Sequence, residues 1–86
     1  MKIKIIGPED EPAFKTSLAH LLKAIHELQA NVVVDEITDL QDIEDYGPLL
    51  YPAIFINGRL AVEGRSISLE EAKRFIMSGE KNDSEV

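Results

Sequence analysis

Apolar residues along this chain change their spacing several times, and each change marks an element. Met1 to Ile6 alternates and then turns wholly apolar, as in a strand that enters a buried sheet. Gly7-Pro8 ends it, and Glu9-Asp10-Glu11 follows as a short acidic loop. Phe14, Leu18, Leu21, Leu22, Ile25 and Leu28 then recur at helical spacing on one stripe, which predicts a helix over residues 13–29. Pro12 suits the first turn of that helix, where its missing N–H costs nothing. Val32-Val33-Val34 is a β-branched run and predicts a strand within 31–36. A strand, a crossover helix and a second strand force the two strands parallel.

The second half opens with Thr38-Asp39-Leu40-Gln41, which has the form of a capping box and starts a short helix. Leu40 and Ile43 are its expected apolar side. Gly47 ends it, and Pro48 prevents continuation. Ala53 to Ile56 is a continuous apolar run, as in a strand covered on both faces. Pro52 cannot donate a ladder hydrogen bond and belongs at the start of that strand or just before it. Asn57-Gly58 tolerates the positive φ angles of a type I′ turn, so a hairpin to Leu60-Ala61-Val62 follows. Ser68-Leu69-Glu70-Glu71 is a second capping box, and Leu69, Ala72, Phe75 and Ile76 give the last helix its buried stripe. From Gly79 the residues have nothing to bury. The expectation is one domain over 1–78 and a disordered acidic tail over 79–86. The element order is β-α-β-α-β-β-α.

Composition removes several functions. The 86 residues suffice for one small domain. No apolar run approaches the ~20 residues of a membrane span, and the start has no signal-peptide layout, so a cytoplasmic protein without membrane contact is expected. Net charge is −7 with no basic cluster, which argues against a nucleic-acid partner. Cysteine is absent. That excludes disulfides, thiolate nucleophiles, Cys-ligated zinc and iron–sulfur clusters on this chain's side chains.

Met1-Lys2-Ile3, Gly7, Thr38-Asp39-Leu40, Tyr46-Gly47, Tyr51-Pro52-Ala53-Ile54, Asn57-Gly58-Arg59 and Gly64-Arg65 stand in one order along residues 1 to 77. In that order and spacing the chain resembles the small thioredoxin-like proteins called redox-active disulfide proteins. The resemblance implies an α/β thioredoxin-like fold, with a four-stranded mixed sheet and helices on both faces. It also implies a cis Tyr51-Pro52 bond, with the residue before the proline offering main-chain groups to a bound peptide. The departure from the family is its Cys-x-x-Cys loop. Aligned from Tyr46-Gly47 and the helix stripe, the cysteine positions fall on Glu11 and Phe14; aligned from Gly7, they fall on Asp10 and Ala13. Neither alignment leaves a thiol to attack a disulfide.

The candidate binding face is therefore the family's active-site face: Glu11, Pro12, Phe14, Tyr51, Pro52 and Gly64. Its expected occupant is a protein or peptide, and the expected function is a redox-inactive binding module. Two alternatives stand beside it: an enzyme that borrows the sulfur of glutathione or another thiol cofactor, and a structural homodimer. Three acids at the helix start would repel the carboxylates of glutathione, so no cofactor is expected. The acids read more simply as a cap and a solvated loop. Phe14 reads either as the first core residue of the helix or as a partly exposed ring beside Tyr51. Tyr51 either fills the recess or presents an aromatic anchor to a partner. His20 and His26, about 120° apart on the helical wheel, are a poor metal pair and read as surface residues. No metal site and no catalytic residue is expected.

Overall fold

The computed structural model describes the backbone of residues 1–84 and the side chains of residues 1–79. The elements follow the expected order: β1 (Lys2–Ile6), α1 (Pro12–Leu28), β2 (Val33–Ile37), α2 (Leu40–Asp45), β3 (Ala53–Ile56), β4 (Arg59–Glu63) and α3 (Leu69–Ser84). The strands form one sheet in the order β2-β1-β3-β4. β1 pairs parallel with β2 and antiparallel with β3, and β3 pairs antiparallel with β4. This is the mixed four-stranded α/β sheet of the thioredoxin fold. The expected tail over 79–86 lies mostly outside the residues whose side chains are described. Gly79 is buried within α3.

The two faces of the sheet are built differently. Ile3 and Ile5 of β1 and Ile54 of β3 point to one face and pack with Phe14, Leu21 and Ala24 of α1 and Ala72 and Ile76 of α3. Ile6 and Ala53 point to the other face and meet Ile43 of α2. This alternation follows from the period of two along a strand. Because α2 is only six residues long, it covers one end of its face. Over the rest, Tyr46 lies across Phe55 with ring centroids 6.0 Å apart, and the Lys4 Nζ donates to the Tyr46 hydroxyl at 3.3 Å.

Some local expectations need correcting. In α1 the buried side is Phe14, Ser17, Leu21 and Ala24, whereas Leu22 is 50% exposed. At 100° per residue, Leu22 sits about 120° from the centre of that buried side, turned away from the sheet and α3. α2 does not use Thr38 as its cap. Asp39 is the N-cap, and its carboxylate accepts from the Gln41 N–H at 2.9 Å. The helix therefore starts at Leu40, which is 70% exposed and is not part of the apolar side. The other two local signals read as expected. Asn57 and Gly58 have φ of 50° and 86°, as a type I′ hairpin requires. Ser68 and Glu71 form the reciprocal capping box at α3: the Ser68 Oγ accepts from the Glu71 N–H, and Glu71 Oε1 accepts from the Ser68 N–H, both at 3.1 Å.

Candidate functional site

Pro52 lies at the point where the loop after β1, the start of β3 and the end of β4 converge. It is buried, and its peptide bond to Tyr51 is cis. Gly7, the first residue after β1, is wedged against it. A Cβ on Gly7 would lie 3.4 Å from Phe14 Cδ2, 3.4 Å from Pro52 Cα and 3.5 Å from Tyr51 Cβ. These are ordinary van der Waals separations; glycine is favoured here by its φ of 157°, which residues with a side chain rarely adopt. From the opposite side, the Gly64 N–H donates to the Pro52 carbonyl at 3.0 Å. Gly64 has φ of 79°, and a Cβ there would meet the Leu50 Cβ at 3.1 Å.

The structure brings Phe14, Tyr51, Pro52 and Gly64 together, but not in the roles the sequence suggested for all of them. Phe14 is 1% exposed and belongs to the core with Ile3, Ile5 and Ile54. Its ring supports Gly7 from beneath and offers no surface to a partner, so the core reading of this residue is the correct one. Pro12 is the exposed first residue of α1. Glu11 is its half-buried N-cap, in an extended conformation (φ −71°, ψ 129°), and its side chain makes no capping bond.

Tyr51 is half-buried and packs on the α2 side, with Ile6, Ile43 and Ala53. Its hydroxyl lies 3.2 Å from the Ile43 carbonyl and 3.3 Å from that of Gly47, and donates toward both. The ring is thus tied to the end of α2 and does not stand out as a free anchor. Its main chain is different. Among the described residues, neither the N–H nor the carbonyl of Tyr51 has a hydrogen-bond partner. Next to it, Leu50 is 65% exposed, and its N–H donates to Glu63 Oε2 at 3.0 Å.

Sequence reasoning missed the residues that hold the Gly64 side in place. The Ser17 hydroxyl, fully buried on α1, accepts from the Ile67 N–H at 3.1 Å. One turn on, the His20 Nδ1–H donates to the Ile67 carbonyl at 2.6 Å. His20 is therefore half-buried and structural, while His26 is exposed. Arg65 grips Glu71 with two parallel bonds, Nη1 to Oε1 at 3.0 Å and Nη2 to Oε2 at 2.7 Å. The Arg65 hydrogen bonds, then that of the Ser68 N–H, hold the Glu71 carboxyl down from its ordinary 4.5 to about 2. The same bonds to Glu71 raise the Arg65 guanidinium. Of this arrangement only the Ser68–Glu71 capping box showed in the sequence.

No three acidic, histidine or cysteine side chains converge as a metal set among the described residues. Among the described residues, no helix is long and apolar enough to cross a membrane. The arrangement offers a fixed pair of main-chain groups, an exposed leucine and carboxylates. It offers no nucleophile with a base beside it. None of the curated proteins matches the sequence. The family model described as the thioredoxin domain matches residues 1–77. With that match, this element order and this mixed sheet, the chain belongs to the thioredoxin domain family, and it does so without a single cysteine.

Proposed function

We propose that this chain is a redox-inactive binding module that takes an extended protein or peptide segment along the main chain of Tyr51. The observation that carries this reading is the unpaired N–H and carbonyl of that residue. Main-chain groups are obligatory hydrogen-bonding groups, and a pair left open beside a sheet is the natural seat for an added strand. The resemblance to disulfide-handling relatives supports the same seat, since they offer the residue before this proline to a peptide. Thiol chemistry through the chain's own side chains is ruled out by the absence of sulfur from Glu11, Phe14, Asp10 and Ala13 alike.

The seat is pre-formed. Tyr51 is fixed by its hydroxyl on one side, and Pro52 by the Gly64 N–H on the other. Little ordering entropy is left to lose on binding, which favours modest affinity for short segments. Amide hydrogen exchange tests the reading. In the free protein the Tyr51 amide exchanges quickly. On addition of a pool of acetylated, amidated pentapeptides rich in β-branched residues, it becomes protected. Peptides that bind while leaving Tyr51 exchange unchanged would contradict the proposed seat.

A further inference from the structure

We propose that two copies of this chain pair through the half of the sheet face that α2 leaves open, with the α2 of each copy lying over the open half of the other. Strand alternation defines that half. Ile3, Ile5, Val34 and Ile54 pack on the opposite face. Lys2 and Lys4 of β1, Asp35 of β2, Phe55 of β3 and Leu60 of β4 therefore share the face of α2, with Lys4 opposite both Asp35 and Phe55, and Phe55 opposite Leu60. α2 itself reaches only the other end, over Ile6 and Ala53. At the open end Phe55 is half-buried and Leu60 is 44% exposed, an apolar pair that Tyr46 alone lies across.

Lys4 sets the chemistry of the occupant. It is half-buried in the middle of the open half, and its Nζ donates to the neutral Tyr46 hydroxyl at 3.3 Å and stands 5.7 Å from the centre of that ring. Asp35, its register partner, pairs instead with Lys2 at 3.9 Å. Among the described residues Lys4 has no carboxylate, in a chain where acids outnumber lysine and arginine by 16 to 9. The occupant must bring apolar surface and a carboxylate, and α2 carries both. Every residue of α2 except Ile43 is exposed, Leu40 by 70%. Asp42, Glu44 and Asp45 make no ion pair among the described residues. At 100° per residue, Asp45 lies about 160° from Ile43, on the side turned away from its own sheet.

A two-fold axis parallel to the sheets and across the strands relates the two sets. It brings the covered end of one copy over the open end of the other, so that the two α2 helices lie side by side between the sheets. Each helix then has Ile43 on its own sheet and Asp45 toward the Lys4 of the other copy, with Leu40 available to Phe55 and Leu60. Such a contact is isologous and closes at two copies. The sheet edges offer no comparable match, since antiparallel pairing of two β2 strands about their centre would set Asp35 against Asp35. The net charge of −7 on each copy opposes their approach, so the pair is weak and depends on concentration.

Sedimentation equilibrium of the full chain, from micromolar to millimolar concentration, tests this. The parent should pass from monomer to dimer and stop there. Lys4→Glu and Asp45→Lys should each raise the dimer Kd by about tenfold or more, because each sets like charges together at both symmetric contacts. Asp45→Lys also makes the chain less negative, so general repulsion alone would give tighter pairing and not weaker. Leu60→Ser should weaken the dimer without touching a charge. An equimolar mixture of the Lys4→Glu and Asp45→Lys chains should recover a dimer close to the parent's Kd, since both contacts again join opposite charges. If Lys4→Glu disturbs the fold, as its circular dichroism would show, the exposed changes Asp45→Lys and Leu60→Ser still decide the matter. A parent that stays monomeric throughout overturns the proposal. So does a dimer that neither exposed change weakens, because it then lies on another surface. Folded single variants that fail to recover on mixing overturn the pairing of Lys4 with Asp45.

Discussion

Two loops meet at Pro52, and they are held in opposite ways. Residues 64–68 are tied by polar bonds on every side: Gly64 to Pro52, Ile67 to Ser17 and His20, Arg65 and Ser68 to Glu71. Residues 8–11 have a single internal main-chain bond, Glu11 N–H to the Pro8 carbonyl at 3.2 Å, and, among the described residues, no side-chain bond from their three acids. That second loop is anchored instead at its two ends, by Gly7 against Pro52 and by the buried ring of Phe14. One loop is a fixed wall, and the other is a charged lip resting on a hydrophobic post. The difference separates a loop fixed by polar bonds from one held by packing at its ends.

The largest effect should come from removing the post. Phe14→Ala deletes a ring that is almost wholly buried in the main core. Loss of such a ring costs about 3–5 kcal/mol, part lost transfer and part cavity. Urea unfolding measures it. A cost below about 1 kcal/mol would mean that the ring is not core, and would reopen its reading as a surface group.

Next comes a strike at the wall. Ser17→Ala leaves the Ile67 N–H buried and unpaired, with an expected cost of about 1–3 kcal/mol. Its signature should be local as well as global: faster amide exchange over Gly64 to Ser68, with the Pro8–Glu11 loop unaffected. Thr16→Ala, one residue away and exposed, should change stability by no more than about 0.5 kcal/mol. Equal effects from the two serine and threonine changes would dissolve the contrast between wall and lip.

This contrast also marks what could be read from the chain. The hairpin at Asn57-Gly58 and the capping box at Ser68 depend on residues within four positions, and both were legible. So were the parallel pairing of β1 with β2 and the β3–β4 hairpin, because a crossover helix and a tight turn leave few alternatives. The wall was not legible, because Ser17 and His20 act on a residue about fifty positions away, and no local pattern reports such a pair. The cap of α2 was misplaced by one residue for a simpler reason. Thr38 and Asp39 are both good caps, and only the backbone shows that Asp39 reaches an open N–H. Tyr51 was left open between two roles; its side chain proved to be tied to α2, and the useful part of the residue is its main chain. Gly64 was singled out from its place in a motif, but the neighbour that gives it meaning, Leu50, was passed over.

The smallest effect should be present at neutral pH, be lost in acid, and lie at the wall. Glu71 has a folded-state pKa lowered to about 2, against 4.5 when it is free of Arg65 and Ser68. A lowered pKa means that the unfolded chain takes up the proton first as pH falls. Glu71 therefore contributes its full stabilisation above pH 4.5, loses it progressively below, and has none left once pH passes through about 2. Glu71→Gln removes the charge at every pH. The variant should be less stable than the parent at neutral pH, and the two should converge as pH falls through that window. Thermal melts of parent and variant at a series of pH values across the window check this. Convergence of Glu71→Gln with the parent is the pattern expected if Arg65 and Ser68 lock this loop through the Glu71 charge; a constant difference across the window would contradict it.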